Sequence, residues 1–340
     1  MERKIKRIGI LTSGGDAPGM NAAIRAAART CVVNGITPIG IHRGYNGLIH
    51  SDVVELDARA VNGLTARGGT SLYTARCEEF KTPEGIQKAV AACRYLGLDG
   101  IVAIGGDGTF RGARDLARAG VNTIGIPGTI DNDIGCTHYS IGFDTAANTA
   151  IEAIDKLSDT MQSHERTSVV EVMGRHAGHL AVYVGLSVGA TAILLPEKPF
   201  DFDRDVAEHI REGKYRGKHH HLIIVAEGVG DTLGISRRIE EELGLDTRVT
   251  IIGHVQRGGS PTARDRVMAS RMGHFAIERF LAGEQNCIVC YRDSKLVSTP
   301  IEEALEMKKE LDGYMYRVAQ DISICCLLYT SPSPRDSTSS

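Results

Sequence analysis

Asp99-Gly100-Ile101-Val102-Ala103-Ile104-Gly105-Gly106-Asp107-Gly108-Thr109 is the stretch on which the fold class turns. Its apolar first half reads as a buried strand, and the Gly pair breaks that strand into a tight turn. Beyond the turn, Ala113, Leu116 and Ala117 share one face at helical spacing. Strand, Gly-rich turn and helix in that order build a parallel sheet with helices on both faces, the α/β class.

The unit recurs on either side. Ile5 to Leu11 reads as the first strand, Thr12 to Asn21 as a Gly-rich turn, Asn21 to Val33 as an Ala-rich helix, and Thr37 to Ile41 as a second strand. Thr123 to Ile126 is a further strand, running into Pro127-Gly128-Thr129-Ile130-Asp131-Asn132-Asp133. Ile151, Ile154, Leu157 and Met161 predict a helix over Thr145 to Met161, with Asp144 as its N-cap. Val169 to Met173, Ala192 to Pro196, Leu222 to Ala226 and Thr250 to Val255 are strand-like. Thr299-Pro300-Ile301-Glu302 carries helix-start signals: a cap, a Pro at the first helical position and an acidic residue three beyond the cap. The Ser/Pro-rich stretch 325–340 has no periodicity and reads as a disordered or appended tail.

Composition narrows the function classes. The chain has 340 residues, enough for two domains at roughly 100–200 residues each. A net charge of −3 gives no global field for nucleic acid or an anionic membrane, so any anion site is local. No apolar run has the length of a membrane span, and Met1-Glu2-Arg3-Lys4 lacks a signal-peptide core. Eight scattered Cys fit a reduced cytoplasmic protein. Cys287-Ile288-Val289-Cys290 lies in an apolar run without a second pair, so it reads as structural. His176 and His179 lack a third ligand for zinc, and His219-His220-His221 reads as an anion contact or plain surface.

The strand ends carry the chemistry, because ligands of open α/β sheets bind there. Gly-rich turns let backbone amides approach an anion, and amides at a helix N-terminus hold phosphate. Neither turn is a Walker A, since no Gly-Lys-Ser/Thr is present, and the spacing from Gly14 to Gly19 is not that of a dinucleotide fingerprint. A bare carboxylate repels phosphate, so Asp107 makes sense with a hard cation between them, and Mg²⁺ shares its shell with substrate phosphate. A tight turn with an incidental Asp is the alternative, and the turn resembles loops of NAD kinases and lipid kinases too. Asp131 and Asp133, beside the Thr129 hydroxyl, can take a proton and support a metal; Asn and Asp are also ordinary turn residues.

Five motifs occur in order: Ser13 to Asn21, Gly105 to Thr109, Pro127 to Asp133, Met173-Gly174-Arg175 and Gly253 to Pro261. Together they resemble the bacterial ATP-dependent 6-phosphofructokinases, from about Lys4 to Ile324. The resemblance implies two Rossmann-like three-layer α/β/α domains with mostly parallel sheets. Residues 1–141 plus about 255–306 would bind ATP; 142–254 plus about 307–324 would bind fructose 6-phosphate.

It also implies Mg²⁺-dependent transfer of the ATP γ-phosphoryl group to the 1-hydroxyl of fructose 6-phosphate. Asp131 would accept the hydroxyl proton, with Arg76, Thr129 and Arg175 also catalytic. Gly15, Arg76, Cys77, Gly106, Asp107, Gly108 and Thr109 match ATP-contacting positions; Asp107 and Asp133 match the metal positions. Sugar phosphate would meet Thr129, Ile130, Asp131, Met173, Gly174, Arg175, Glu227, His254, Val255, Gln256 and Arg257, with Arg166 and Arg248 reaching in from a neighbouring subunit of a homotetramer. A branch using pyrophosphate typically has Asp at the Gly108 position and Lys at the Gly128 position; both are Gly here, which favours ATP. A non-catalytic sugar-phosphate or nucleotide sensor on the same scaffold is the rival reading, and it has no need of a base at Asp131.

Many members carry a second anion site for ADP and phosphoenolpyruvate. Arg25, Arg29, Arg216, Lys218 and His220 match its basic positions, whereas Ala58, Ser158 and Thr191 replace two Arg and a Glu. The expectation is weakened or altered effector control.

Overall fold

The computed structural model describes residues 5–323; the tail expected at 325–340 lies outside the described residues. Its strands are β1 (Arg7–Thr12), β2 (Thr37–Ile41), β3 (Val53–Glu55), β4 (Gly100–Gly105), β5 (Thr123–Pro127), β6 (Thr167–Val172), β7 (Ala192–Leu194), β8 (His221–Ala226), β9 (Thr247–Ile251), β10 (Cys287–Arg292) and β11 (Lys295–Pro300). One sheet runs β11-β10-β5-β4-β1-β2-β3 and the other β7-β8-β6-β9. In the larger sheet the edge pairs β2/β3 and β10/β11 are antiparallel and the inner pairs parallel. The smaller sheet is parallel throughout.

Parallel strands covered on both faces are apolar on both faces. Val102 and Ile104 join one core cluster with Met20 and Ile24 of the Met20–Val33 helix. Ile101 and Ala103 face the other way, onto Phe110, Ala113 and Leu116 of the Asp107–Arg118 helix. The first cluster continues to Val170 and Val172 of β6, while Val169, Ile223 and Val225 meet a third cluster. So helices flank both sheets, and this is the two-unit α/β fold.

Chain order reverses between β1 and β4: β2 lies on one side of that pair and β5 on the other. A crevice for ligands opens at such a point. Register puts the strand ends level there, with Thr12 opposite Ile104 and Gly105 opposite Pro127.

Three expected element boundaries are corrected. Gly142, not Asp144, caps the Phe143–His164 helix; its φ of 105° is open to Gly, and a Cβ there would come within 2.6 Å of Ala17. Asp144 sits in the first turn instead. The strand expected over Thr250 to Val255 ends at Ile251, because Gly253–Arg257 winds into a 3-10 turn. Thr299 and Pro300 finish β11, and the Ile301–Glu306 helix begins without a side-chain cap.

Candidate active site

Three loops meet at the switch point. Ser13 N donates to Ile104 O (3.1 Å), and Thr109 Oγ1 donates to Ser13 O (2.9 Å), which locks the first Gly-rich turn to the second. Tyr45, stacked on Phe80 in the core, donates its hydroxyl to Thr109 O (2.5 Å). Gly106 precedes the Asp107–Arg118 helix, so the first amides of that helix open into the crevice. Thr74 Oγ1 donates to Gly14 O (2.6 Å), which brings the segment carrying Arg76 and Cys77 to the same turn. Arg76 and Cys77 are exposed to different degrees, Cys77 being half-buried.

The third loop leaves β5. Gly128 N donates to Gly105 O (2.9 Å) and Ile141 N to Pro127 O (3.0 Å). Asn132 takes a left-handed φ of 51°, and its Oδ1 accepts from Ser140 N (3.0 Å). This bend turns Asp131 inward beside Thr129, whose Oγ1 accepts from Asp131 N (3.2 Å). Asp131 is only 7% exposed, and its Oδ1 has no hydrogen-bond partner among the described residues. Burial, then the Asp133 charge, pushes its pKa up to about 6; Arg257 and Thr129 act against them and Glu227 with them. Burial and Asp133 also raise Asp107, opposed by Arg111 and Arg175. Carboxylates crowded in this way leave a place for positive charge.

The second sheet supplies cations. Met173 N donates to Gln256 Oε1 (2.9 Å), and Gln256 Nε2 to Ala146 O (3.5 Å), which ties the loop after β6 to the 3-10 turn. Gly174 and Arg175 both have positive φ, and a Cβ on Gly228 would lie 2.5 Å from Arg175 O, so Glu227-Gly228 packs directly against Arg175. Arg257 reaches back to the first loop: Nη1 donates to Asp16 O (3.2 Å), and a Cβ on Gly15 would lie 2.5 Å from it. His254 and Val255 lie on the same turn, with Val255 exposed.

Some expected contacts fall elsewhere. Ile130 and Gln256 are fully buried, main chain included, so both support the loops from behind and neither faces the open crevice. Arg166 and Arg248 share Asp246, with Arg166 Nε donating to Oδ2 (2.5 Å) and Arg248 Nη1 2.6 Å from Oδ1. Arg166 immediately precedes β6, about 20 Å from the site end of that strand at roughly 3.3 Å per residue, and Arg248 is the second residue of β9, about 10 Å from its end on the same scale; both are turned to Asp246 at the opposite end. The chain's own fold therefore does not bring them to Asp131. Arg25 and Arg29 lie one turn apart on the Met20–Val33 helix, while Arg216, Lys218 and His220 lie in the turn before β8. Arg216 pairs with Glu212, and Lys218 Nζ donates to Thr191 Oγ1 (2.9 Å). His220 is held below its ordinary pKa by burial and by Lys218 and His219.

Strand-end amide turns around a buried carboxylate, flanked by guanidinium groups, define a phosphotransferase of the α/β class. The phosphofructokinase family matches residues 7–280. ATP-dependent 6-phosphofructokinase of Clostridium botulinum (strain Hall) is 50% identical over 319 residues, 94% of this chain and 100% of that protein. The enzyme of the same name from Bacillus pumilus is 52% identical over 320 residues, again 94% and 100%. Phosphofructokinase from Saccharomyces cerevisiae superposes with a TM-score of 0.83 at 32% identity, over 93% of this chain and 46% of that one. The chain belongs to the phosphofructokinase family.

Proposed function

We propose that this chain transfers the γ-phosphoryl group of ATP to the 1-hydroxyl of fructose 6-phosphate, giving fructose 1,6-bisphosphate and ADP. The observation that carries the reading is Asp131: a buried carboxylate with a raised pKa and an oxygen that no described residue bonds, level with the Gly105–Thr109 turn. Asp131 takes the proton of the 1-hydroxyl as that oxygen attacks phosphorus, and the bond from phosphorus to the bridging oxygen of ADP breaks. A carboxylate is a weak base for an alcohol, so positioning and charge neutralisation do most of the work.

The first sheet forms the ATP lobe. Gly15 and Gly106 to Gly108 present amides to the phosphates, Thr109, whose own N–H is donated to Gly106 O (2.9 Å), closes the turn beside them, and Cys77 lies beside the nucleotide. Arg76 and Arg175 neutralise charge on the transferring group, a task for a fork that stays ionised. The residues fit Mg²⁺: Asp107 and Asp133 supply few carboxylates, and the Asp133 charge raises both Asp107 and Asp131, as suits a magnesium site shared with substrate phosphate. Mg²⁺ there supplies neutralisation of phosphate charge. The second sheet forms the sugar-phosphate lobe, with Met173, Gly174, Arg175, Glu227, His254 and Arg257. Arg166 and Arg248 complete the site of a neighbouring subunit in a cytoplasmic homotetramer. No helix among the described residues is long and apolar enough to cross a membrane.

A coupled assay with fructose 6-phosphate and MgATP tests the reading. Binding of both substrates without turnover would mean a sensor. Turnover with pyrophosphate and none with ATP would place the chain in the other branch.

Arg257 gives a prediction that runs against loop identity. Gly15→Ala sits in the nucleotide loop, yet its methyl would displace Arg257 Nη1 and break the bond to Asp16 O. Weakening one charge-assisted contact should raise KM for fructose 6-phosphate by about tenfold. KM for ATP should change much less; the opposite ordering in steady-state kinetics counts against this placement of Arg257.

Effector control should be weak. Thr191 occupies Lys218 Nζ, and Ala58 and Ser158 carry no guanidinium, so two phosphate contacts worth roughly 1.5–3 kcal/mol each are missing. Micromolar ADP or phosphoenolpyruvate should leave the fructose 6-phosphate saturation curve in place, and a clear shift in either direction would show the site intact.

A further inference from the structure

Asp265 is fully buried, and the chemistry above gives it no task. It stands three residues after Thr262, the cap of the Ala263–Leu281 helix, where an acidic side chain ordinarily turns back to the cap's own amide. Here it does not. Oδ1 accepts from the Tyr139 hydroxyl (2.6 Å) and Gly142 N (2.7 Å). Oδ2 accepts from Thr145 N (2.9 Å) and Thr145 Oγ1 (2.5 Å). Thr262 N donates to Thr145 Oγ1 instead (3.0 Å), and Thr262 Oγ1 donates to Asp144 Oδ2 (2.7 Å). Thr145 is thus inserted into the capping arrangement as a relay.

Each end of the relay leads to a different half of the site. Tyr139 to Gly142 is the wall behind the catalytic loop, through Ile141 N to Pro127 O (3.0 Å) and Ser140 N to Asn132 Oδ1 (3.0 Å). Gly142 also packs on Ala17 of the first Gly-rich turn. Thr262 closes the short link that begins at Arg257. The Gly105–Thr109 turn shares one bond with the catalytic loop, Gly128 N to Gly105 O (2.9 Å), but its Thr109 end is held by Tyr45 and Ser13, neither of which belongs to the relay. A buried carboxylate with four donors is a stiff node, since releasing any donor leaves a charge unsatisfied.

We propose that Asp265, acting through Thr145 and Thr262, is a positioning residue for phosphoryl transfer: it fixes the loop carrying Asp131 against the loop carrying Arg257. The inference rests on the activity proposed above. Misplacing a reacting group by about 1 Å can cost on the order of 100-fold in rate, so the relay should show in kcat.

Thr145→Val tests it, since Val keeps the shape and removes both relay bonds; Thr145→Ser keeps the hydroxyl. Expected for Thr145→Val is a kcat lower by about 10- to 100-fold, with KM for fructose 6-phosphate raised and KM for MgATP little changed. Thr145→Ser should stay near the parent. Amide exchange over 127–142 and 257–262 should quicken in Thr145→Val and not in Thr145→Ser. Parent-like kinetics in Thr145→Val, equal losses in both variants, or exchange that is unchanged or faster everywhere would each reduce the node to a helix cap and overturn the proposal. The exchange measurement needs no turnover. An inactive parent protein would therefore strike the proposed activity, while amide exchange alone would still decide whether the relay couples the two loops.

Discussion

Asp131→Asn is expected to lower turnover by roughly 100- to 10,000-fold while making the protein more stable at neutral pH. The two effects have one cause. Burial and the Asp133 charge lift the Asp131 carboxyl from 3.8 to about 6, and no described residue donates to Oδ1. That environment makes a better base and a costlier ion. A carboxyl raised from 3.8 to about 6 corresponds to about 3 kcal/mol against the ionised form. The amide removes the ion at almost constant volume, so substrate binding should stay near normal.

The sign of the pH dependence follows. The folded pKa lies above the unfolded one, so the stabilising contribution of the protonated form is complete below 3.8 and is lost as pH rises through about 6. The stability advantage of Asp131→Asn should be near its full size at pH 7.5 and roughly half that at pH 5, as urea unfolding at the two values would show. In the parent protein kcat/KM should fall about tenfold per pH unit below about 6. A variant that keeps its turnover, or a stability difference that ignores pH, would remove Asp131 as the base.

How much of this was legible depends on what each residue needed from distant chain. Ile101 to Ile104 reads as a strand because both of its faces are buried, which makes the apolar run continuous, and Val169 to Val172 reads as one despite the half-buried Glu171 that interrupts its run. The edges did not read so. β3 and β11 are half-exposed, and β11 in particular hides a strand ending in what looked like a helix cap at Thr299-Pro300. Pairing with β10 makes it a strand. Asp107 and Asp131 were visible because their motifs follow strands, where local sequence sets the loop. The inward turn of Gln256 was not, because it depends on a 3-10 turn that starts at Gly253 with φ 56°. Asp265 was missed altogether. Thr262 and an acid three residues on is a helix-start signal, and nothing local says that the carboxylate serves Tyr139, Gly142 and Thr145 more than 100 residues away.

Gly108→Asp is expected to cut kcat/KM for ATP about 1,000-fold, since like charges about 4 Å apart cost about 4 kcal/mol near a protein surface. Folding should not stand in the way. Gly108 is the second residue of the Asp107–Arg118 helix, and a side chain there meets no described residue within 4 Å. The helix N-terminus welcomes a carboxylate, by roughly 0.3–1 kcal/mol, so thermal unfolding should hold or rise slightly. Loss of activity with undiminished stability separates a ligand effect from a folding defect. The new carboxylate also fills space that a nucleotide needs, whereas pyrophosphate needs less; Gly128, still Gly, would leave that smaller donor without the cation expected for it. ATP turnover should therefore collapse without a matching gain in pyrophosphate turnover. Unchanged kinetics with ATP would mean that the donor phosphates do not sit on the Gly105–Thr109 turn, and the assignment of Asp107 to the metal would fall with it.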